Sequence, residues 1–187
     1  MFRPAVLRKA PMLAAVLALA AMLAPAGAEA RGCANTHVKP NTRNLELVRS
    51  AVLCLHNAER ARHGLPRLRE NARLRSAASR HSARMVGSHF FDHTTPAGLT
   101  MAARIRGTGY TSGAHAWSIG ENIAWGSGRL ATAAQIHRSW MNSPGHRANI
   151  LQRSFREIGI GIETGLPVRL SAAQSGATYT TDFGFRR

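Results

Sequence analysis

Ile158-Gly159-Ile160-Gly161-Ile162 and, beyond a loop over Thr164–Gly176, Thr178-Tyr179-Thr180-Thr181-Asp182-Phe183 close the chain with a two-residue alternation. Isoleucines alternate with glycines in the first stretch. In the second, Tyr179, Thr181 and Phe183 alternate with Thr178, Thr180 and Asp182. That period predicts two strands, paired antiparallel across the loop. Upstream the apolar residues recur at three and four instead. Leu45–His63 carries Val48, Val52 and Leu55 at helical spacing, with Asn44 placed to cap its start and Gly64 just past its end. Pro66 forces an extended link over Leu65–Arg69. After Asn71 a second helix sets Leu74, Ala77, Ala78, His81 and Met85 on one stripe and Arg73, Arg75, Arg80 and Arg84 on the other face. A short helix is predicted over Thr100–Arg106. A longer one runs over Ala131–Met141, opened by Leu130 or Thr132 and halted at Ser143-Pro144-Gly145. His146–Leu151 allows one or two further turns. Glycine-rich Gly107–Gly128 reads as mostly irregular, with a short extended piece near Ile119–Trp125. Helices first and strands later in one small chain make an α+β domain.

Composition narrows the class. The 187 residues hold 25 Lys+Arg against 9 Asp+Glu, a formal net charge of +16, with 44% hydrophobic residues. That apolar content excludes a disordered basic tail, and the length excludes a multidomain enzyme. A sequence pI of about 11.8 is compatible with a polyanion binder. Only Lys9 and Lys39 are lysines, so the charge is carried by arginine.

The first thirty residues predict export. Arg3, Arg8 and Lys9 precede the apolar run Met12–Pro25, and Ala28-Glu29-Ala30 fits a cleavage site before Arg31. The run is short for a membrane span, which needs about 20 residues. A retained anchor is the alternative. Residues 1–30 are therefore expected to be a signal peptide, and the product to be secreted, periplasmic or in the cell envelope. Most of the basic excess survives its removal. Cys33 and Cys54, an even count in an exported chain, predict one disulfide tying the segment 31–44 to the helix that follows.

The standard catalytic motifs are absent: no H-E-x-x-H, no G-x-S-x-G, no phosphate-binding loop. Three other segments set ionisable groups among aromatics and glycines. They are Phe90-Phe91-Asp92-His93-Thr94, Gly120-Glu121-Asn122-Ile123-Ala124-Trp125, and Trp140-Met141-Asn142-Ser143-Pro144-Gly145-His146-Arg147-Ala148-Asn149-Ile150. In that order, and with Leu55-His56-Asn57-Ala58-Glu59-Arg60 ahead of them, they resemble the CAP superfamily. This family comprises cysteine-rich secretory proteins, antigen 5 and pathogenesis-related 1 proteins, and the match is closest to its bacterial secreted branch. The resemblance spans Leu45–Gly184 and implies that 45–187 is one CAP (SCP) domain. It implies a three-layer α-β-α sandwich with an antiparallel sheet. It also implies a cleft lined by two histidines and two acids, in some members with a divalent metal between the histidines.

By motif position the histidines are His93 and His146, and Glu121 is one acid. Ser143 stands where the second acid belongs, which leaves the expected site one carboxylate short. Asn122 is expected beside Ser143 on the cleft lining, although amides at such positions more often bond backbone. Two neutral imidazoles can hold Zn²⁺ or a similar ion with positions open for water, and Glu121 can serve as proton acceptor or as partner to a histidine ring. The opposing reading is a buried hydrogen-bonded network that never meets a substrate. His81 is expected in the core and His56 to pack or cap, while His89 is near enough to His93 to contribute. His37, His63, His115 and His137 are expected at the surface, Trp125 and Trp140 in the core, and Tyr110 and Asp182 at the cleft rim.

Three functions follow as expectations. The first is an extracellular or envelope binding module of unknown ligand. The second is a weak metal-assisted hydrolase of peptides or phosphodiesters using His93, His146 and Glu121. The third is a binder of anionic polymer. Specific nucleic-acid recognition is disfavoured, because the aromatics do not interleave with the arginines. Lipid or sterol binding is neither predicted nor excluded, and a monomer is expected.

Overall fold

The computed structural model describes residues 32–169 and 175–187; the expected leader over 1–30 lies outside them. In chain order the elements are α1 (Leu45–Arg62), β1 (Arg69–Glu70), α2 (Ala72–Gly87), α3 (Met101–Arg106), β2 (Trp117–Ser127), α4 (Ala133–Met141), α5 (Pro144–Ile150), β3 (Glu157–Thr164) and β4 (Gly176–Arg186). The strands form one sheet in the order β1-β3-β4-β2. β2, β4 and β3 pair antiparallel, as expected, while the two-residue β1 lies parallel to β3 and makes the sheet mixed. Helices cover both faces, giving the three layers of an α-β-α sandwich.

The alternation in β3 explains the layers. Ile158, Ile160 and Ile162 join Val48, Val52, Ile136, Trp140 and Phe183 in a core beneath α1, α4 and α5. Gly159 and Gly161 face the other way, where α2 lies directly on the sheet: a Cβ on Gly159 would stand 2.0 Å from the Arg75 nitrogen and the Leu74 carbonyl carbon. A smaller cluster of Leu74, Ala77, Ile105 and Tyr110 fills that second layer.

Capping follows the local signals at α2 and α3 but not at α1, where Asn44 stands at the N-cap without a side-chain capping bond. Asn71 accepts from the backbone N–H groups of Arg73 and Leu74 at the start of α2, and Thr100 accepts from Ala103 at the start of α3. His89, at φ 50°, takes the left-handed position just beyond α2 and turns the chain out of the helix. It is exposed, and that turn accounts for it.

The Cys33–Cys54 disulfide is formed, with Cα atoms 5.7 Å apart. It closes a loop worth about 3 kcal/mol in the chain-entropy account. The tied segment is held a second time, since Thr36 O accepts from Ala134 N at 2.9 Å.

Two expectations change. The stretch read as mostly irregular contains the eleven-residue β2, paired along its whole length with β4. His137 is half-buried rather than a free surface residue: its ring lies 5.0 Å from that of His56, which is fully buried against Trp140 and Phe183.

These buried rings predict acid lability. Burial holds His81 and His137 down to about 4 and His56 well below its ordinary value. Unfolded, all three titrate near 6.5. Stability they support is therefore present above that pH and is lost as pH falls from about 6.5 towards 4, because the unfolded chain takes up protons the fold refuses. Asp182, whose pKa is raised, opposes them with one proton held by the fold. At about 1.4 kcal/mol per proton per pH unit, Tm is expected to fall by roughly 10 °C between pH 6.5 and 4.5. Calorimetry over that range checks it; a flat profile is the contrary result.

Candidate functional site

The site forms along β2, an edge strand whose alternation sends neighbouring side chains to opposite faces. Glu121 points into the α2–α3 layer and Asn122 towards α5. Glu121 is 5% exposed and both its oxygens are engaged. His93 Nδ1–H, from the loop between α2 and α3, donates to Oε1 at 2.8 Å, and Arg104 Nη2, from α3, donates to Oε2 at 2.5 Å. Arg104 is itself buried, and its Nη1 donates to the carbonyls of His93 and Leu99 at 2.7 and 3.1 Å. One guanidinium thus fixes the carboxylate and the backbone of the histidine beside it.

The sequence reading missed Arg104, and it misplaced Asp182. Asp182 is not at a rim but fully buried, and it faces Glu121 across the β2–β4 pair in register. A second carboxyl, absent at Ser143, thus stands beside Glu121 on β4, but buried in the sheet and not lining a cleft. No donor reaches either Asp182 oxygen, so as a carboxylate it would be stranded. Burial, reinforced by the charge of Glu121, pushes Asp182 well above the ordinary carboxylate range. Burial pushes Glu121 up as well, but the hydrogen bond from His93 and the charge of Arg104 outweigh it and hold Glu121 below its usual value. The two carboxyls are thus pushed in opposite directions, Asp182 up and Glu121 down.

The two histidines arrive from opposite layers. The Glu121 hydrogen bond raises His93, and its side chain is 52% exposed. His146, in the first turn of α5, is half-buried; desolvation lowers it, and the charge of nearby His93 adds to the effect. His81 donates Nε2–H to the Asp92 carbonyl at 3.0 Å and so holds the loop that carries His93.

The remaining expected residues divide. Asn122 does not line a cleft: it is fully buried, donates to the His146 carbonyl at 3.0 Å and accepts from Asn149 at 2.8 Å. Its amide joins β2 to α5. Ser143 is half-buried at the N-cap of α5, with no side-chain capping bond. Tyr110 is buried in the α2–α3 layer rather than at a rim, its hydroxyl donating to Glu157 at 2.7 Å. Trp140 is in the core, with Nε1–H donating to the Ile123 carbonyl.

Comparison with known proteins agrees with this architecture. Residues 53–167 match the model of the cysteine-rich secretory protein family. Over 115 residues, 61% of this chain, the sequence is 36% identical to the uncharacterized protein YkwD of Bacillus subtilis. It covers 42% of that relative's length, so it spans about two-fifths of the protein it matches. An extracellular SCP-domain protein from Bacillus anthracis superposes with a TM-score of 0.57 at 27% identity, over 79% of this chain and 45% of that one. An outer surface protein from Borrelia burgdorferi shares the fold at 18% identity and a TM-score of 0.55, over 79% and 96% of the two chains. Among the described residues no helix is long and apolar enough to cross a membrane. With a family model matched over more than half its length, around the strand and helices that hold His93, Glu121 and His146, the chain belongs to the cysteine-rich secretory protein family.

Proposed function

We propose that this is an exported domain, secreted or held in the envelope, that binds an extracellular ligand over the surface presented by His93 and His146. One observation carries this reading. Glu121 is buried with both oxygens occupied by Arg104 and His93, so it is placed to orient the His93 ring and not to meet a water or substrate. The ring is the exposed member of the pair, and its Nε2 is the nitrogen left for a ligand. Arg104 stands behind it as the support that keeps Glu121 ionised and still.

A second reading, metal-assisted hydrolysis, draws on the same pair. A carboxylate bonded to one imidazole nitrogen sets the tautomer and raises the basicity of the other, as around many metal ions. His93 and His146 are the residues that would hold a divalent ion such as zinc. Among the described residues no cluster of three His, Cys, Asp or Glu is placed to hold one. Two protein ligands against the usual three mean weak binding. When bound, such an ion would polarise a carbonyl or phosphoryl oxygen. The residues' own part would be to orient the two imidazoles, Glu121 fixing the tautomer of His93.

Calorimetric titration with Zn²⁺ of the parent, His93→Ala and His146→Ala separates the readings. Two-histidine coordination predicts a dissociation constant of about 10 µM or weaker that each substitution raises at least tenfold, following the cost of losing a metal's supporting groups. Heat unchanged by both substitutions, or no heat at all, removes the hydrolase and leaves the binding module. For the binding module, His93→Ala is expected to abolish capture of material from an envelope extract that Arg43→Ala retains. Equal capture by both variants is the contrary result.

A further inference from the structure

A groove of about 760 Å³ opens where β1 meets the start of β3 and the end of β4. It lies four residues further along β4 than Asp182 and owes nothing to the histidine surface. Arg67, Arg69, Arg156 and Arg186 line it, with Glu157 as its one acid and Phe185 as an apolar wall. Glu157 is not their counter-ion. Its Oε1 accepts from Asn71 Nδ2 and its Oε2 from the Tyr110 hydroxyl, each at 2.7 Å.

Two of the guanidiniums are held in place by neutral groups. Arg186 donates to the Tyr110 carbonyl at 3.1 Å and lies over the Tyr110 ring at 5.5 Å. Arg156 Nη1 donates to the carbonyls of Arg153, Ser154 and Phe155. Arg67 and Arg69 are exposed, and among the described residues no carboxylate pairs with either. Glu70 follows Arg69 in β1 and alternates to the other side of the strand. Elsewhere three acids are committed to cations: Glu46 to Arg49 and Arg75, Glu59 to Arg62, Glu121 to Arg104. The groove thus gathers four arginines, two of them held by neutral groups, around one carboxylate whose oxygens neutral donors occupy.

We propose that this groove binds a small ligand carrying a di- or triphosphate-like group, its oxygens taken up by Arg67, Arg69, Arg156 and Arg186. A guanidinium presents a planar fork of N–H donors that matches phosphate oxygens two at a time. Four such forks around one hollow call for a multiply charged anion rather than a single carboxylate. The volume is that of a small-molecule site, which typically runs from about 300 to 1,000 Å³. Overall charge does not single out this place: Arg80 and Arg84 on the outer face of α2 line a hollow of about 340 Å³, less than half the volume.

Titration of inorganic tripolyphosphate into the intact chain at 150 mM NaCl tests it. Saturable one-to-one binding is expected, weakened at least tenfold in Arg67→Ala/Arg69→Ala and less than twofold in Arg43→Ala/Arg106→Ala, which removes the same charge from exposed positions elsewhere. Arg67→Lys/Arg69→Lys, which keeps the charge and loses the forks, is expected to fall between. Absence of saturable heat overturns the proposal, as do equal losses from both alanine pairs or full affinity in the lysine pair. Tm values matching the parent confirm that all three variants are folded. Vesicles bearing a phosphomonoester headgroup that displace the probe place the phosphate on a lipid, and failure to displace it places the phosphate on a soluble molecule; either outcome supports the groove as the phosphate site.

Discussion

Replacing Arg60 by methionine is expected to cost the domain roughly 4–6 kcal/mol, most of the stability a protein of this size has. Arg60 is fully buried near the end of α1, and the acceptors around it are backbone carbonyls. Nε donates to Pro66 at 2.8 Å, Nη1 to Ile150 and Gln152 at 2.8 and 3.0 Å, and Nη2 to Phe155 at 3.0 Å. Methionine fills much of the same volume, so the loss isolates the hydrogen bonds from the cavity. Four carbonyls would be left buried without donors, each costing about 1–3 kcal/mol before relaxation. Two of them, Ile150 and Gln152, sit at the end of α5, where a cation also complements the helix dipole. The substitution therefore loosens the helix that carries His146 as well as the link into β1. Lysine is no remedy, since one ammonium cannot reach four acceptors spread around a planar fork. Urea unfolding is expected to show a lowered midpoint at an unchanged m value, with Tm down by roughly 10–20 °C. A loss below about 1 kcal/mol would mean that water replaces the guanidinium and that the fold does not depend on it.

Arg60 also marks the limit of what the sequence shows. The helical periods of α1, α2 and α4 and the alternation of β3 and β4 are written in neighbouring residues, and these elements stand where the pattern puts them. β2 was harder to see because its glycines and its Glu121-Asn122 pair break the apolar alternation. Gly126 is needed because a Cβ there would stand 2.4 Å from the Leu130 carbonyl oxygen, a contact invisible in the linear chain. His93, Glu121 and His146 were legible through motif order. Arg104 and Asp182 were not, because what makes them part of the site is burial and cross-strand register. The register held the clue: with β2 drawn at full length against β4, Glu121 faces Asp182. Nothing in the linear pattern tells a buried arginine from an exposed one. Arg49, Arg60 and Arg104 are buried, each held by carbonyls or a carboxylate.

The glycine alternation in β3 carries the second large prediction. Gly159→Ala adds one methyl group, yet that group would meet the α2 backbone at 2.0 Å, and no rotamer relieves a Cβ. The helix has to lift by an ångström or more, or the strand has to bend. Neither is cheap, because Ser82 Oγ bonds the Gly161 carbonyl and Thr180 in the same interface. Overpacking of side chains costs about 1–3 kcal/mol, and a backbone clash sits at or above that range. A loss of roughly 3–4 kcal/mol and a Tm lower by about 10 °C are expected. Gly145→Ala is the control: a Cβ there meets nothing within 4 Å, and in a helix the change is neutral or stabilising by up to about 1 kcal/mol. The effect should not stop at stability. α2 carries His81, whose Nε2–H holds the Asp92 carbonyl and so the loop bearing His93. A lifted α2 slackens that hold and lengthens the His93–Glu121 hydrogen bond, the first cause of the raised His93 pKa. NMR titration of the His93 ring in folded Gly159→Ala should therefore give a lower pKa than in the parent, whereas Gly145→Ala should leave it unchanged. A destabilised variant with an unaltered His93 titration would show that α2 supports the fold without positioning the site.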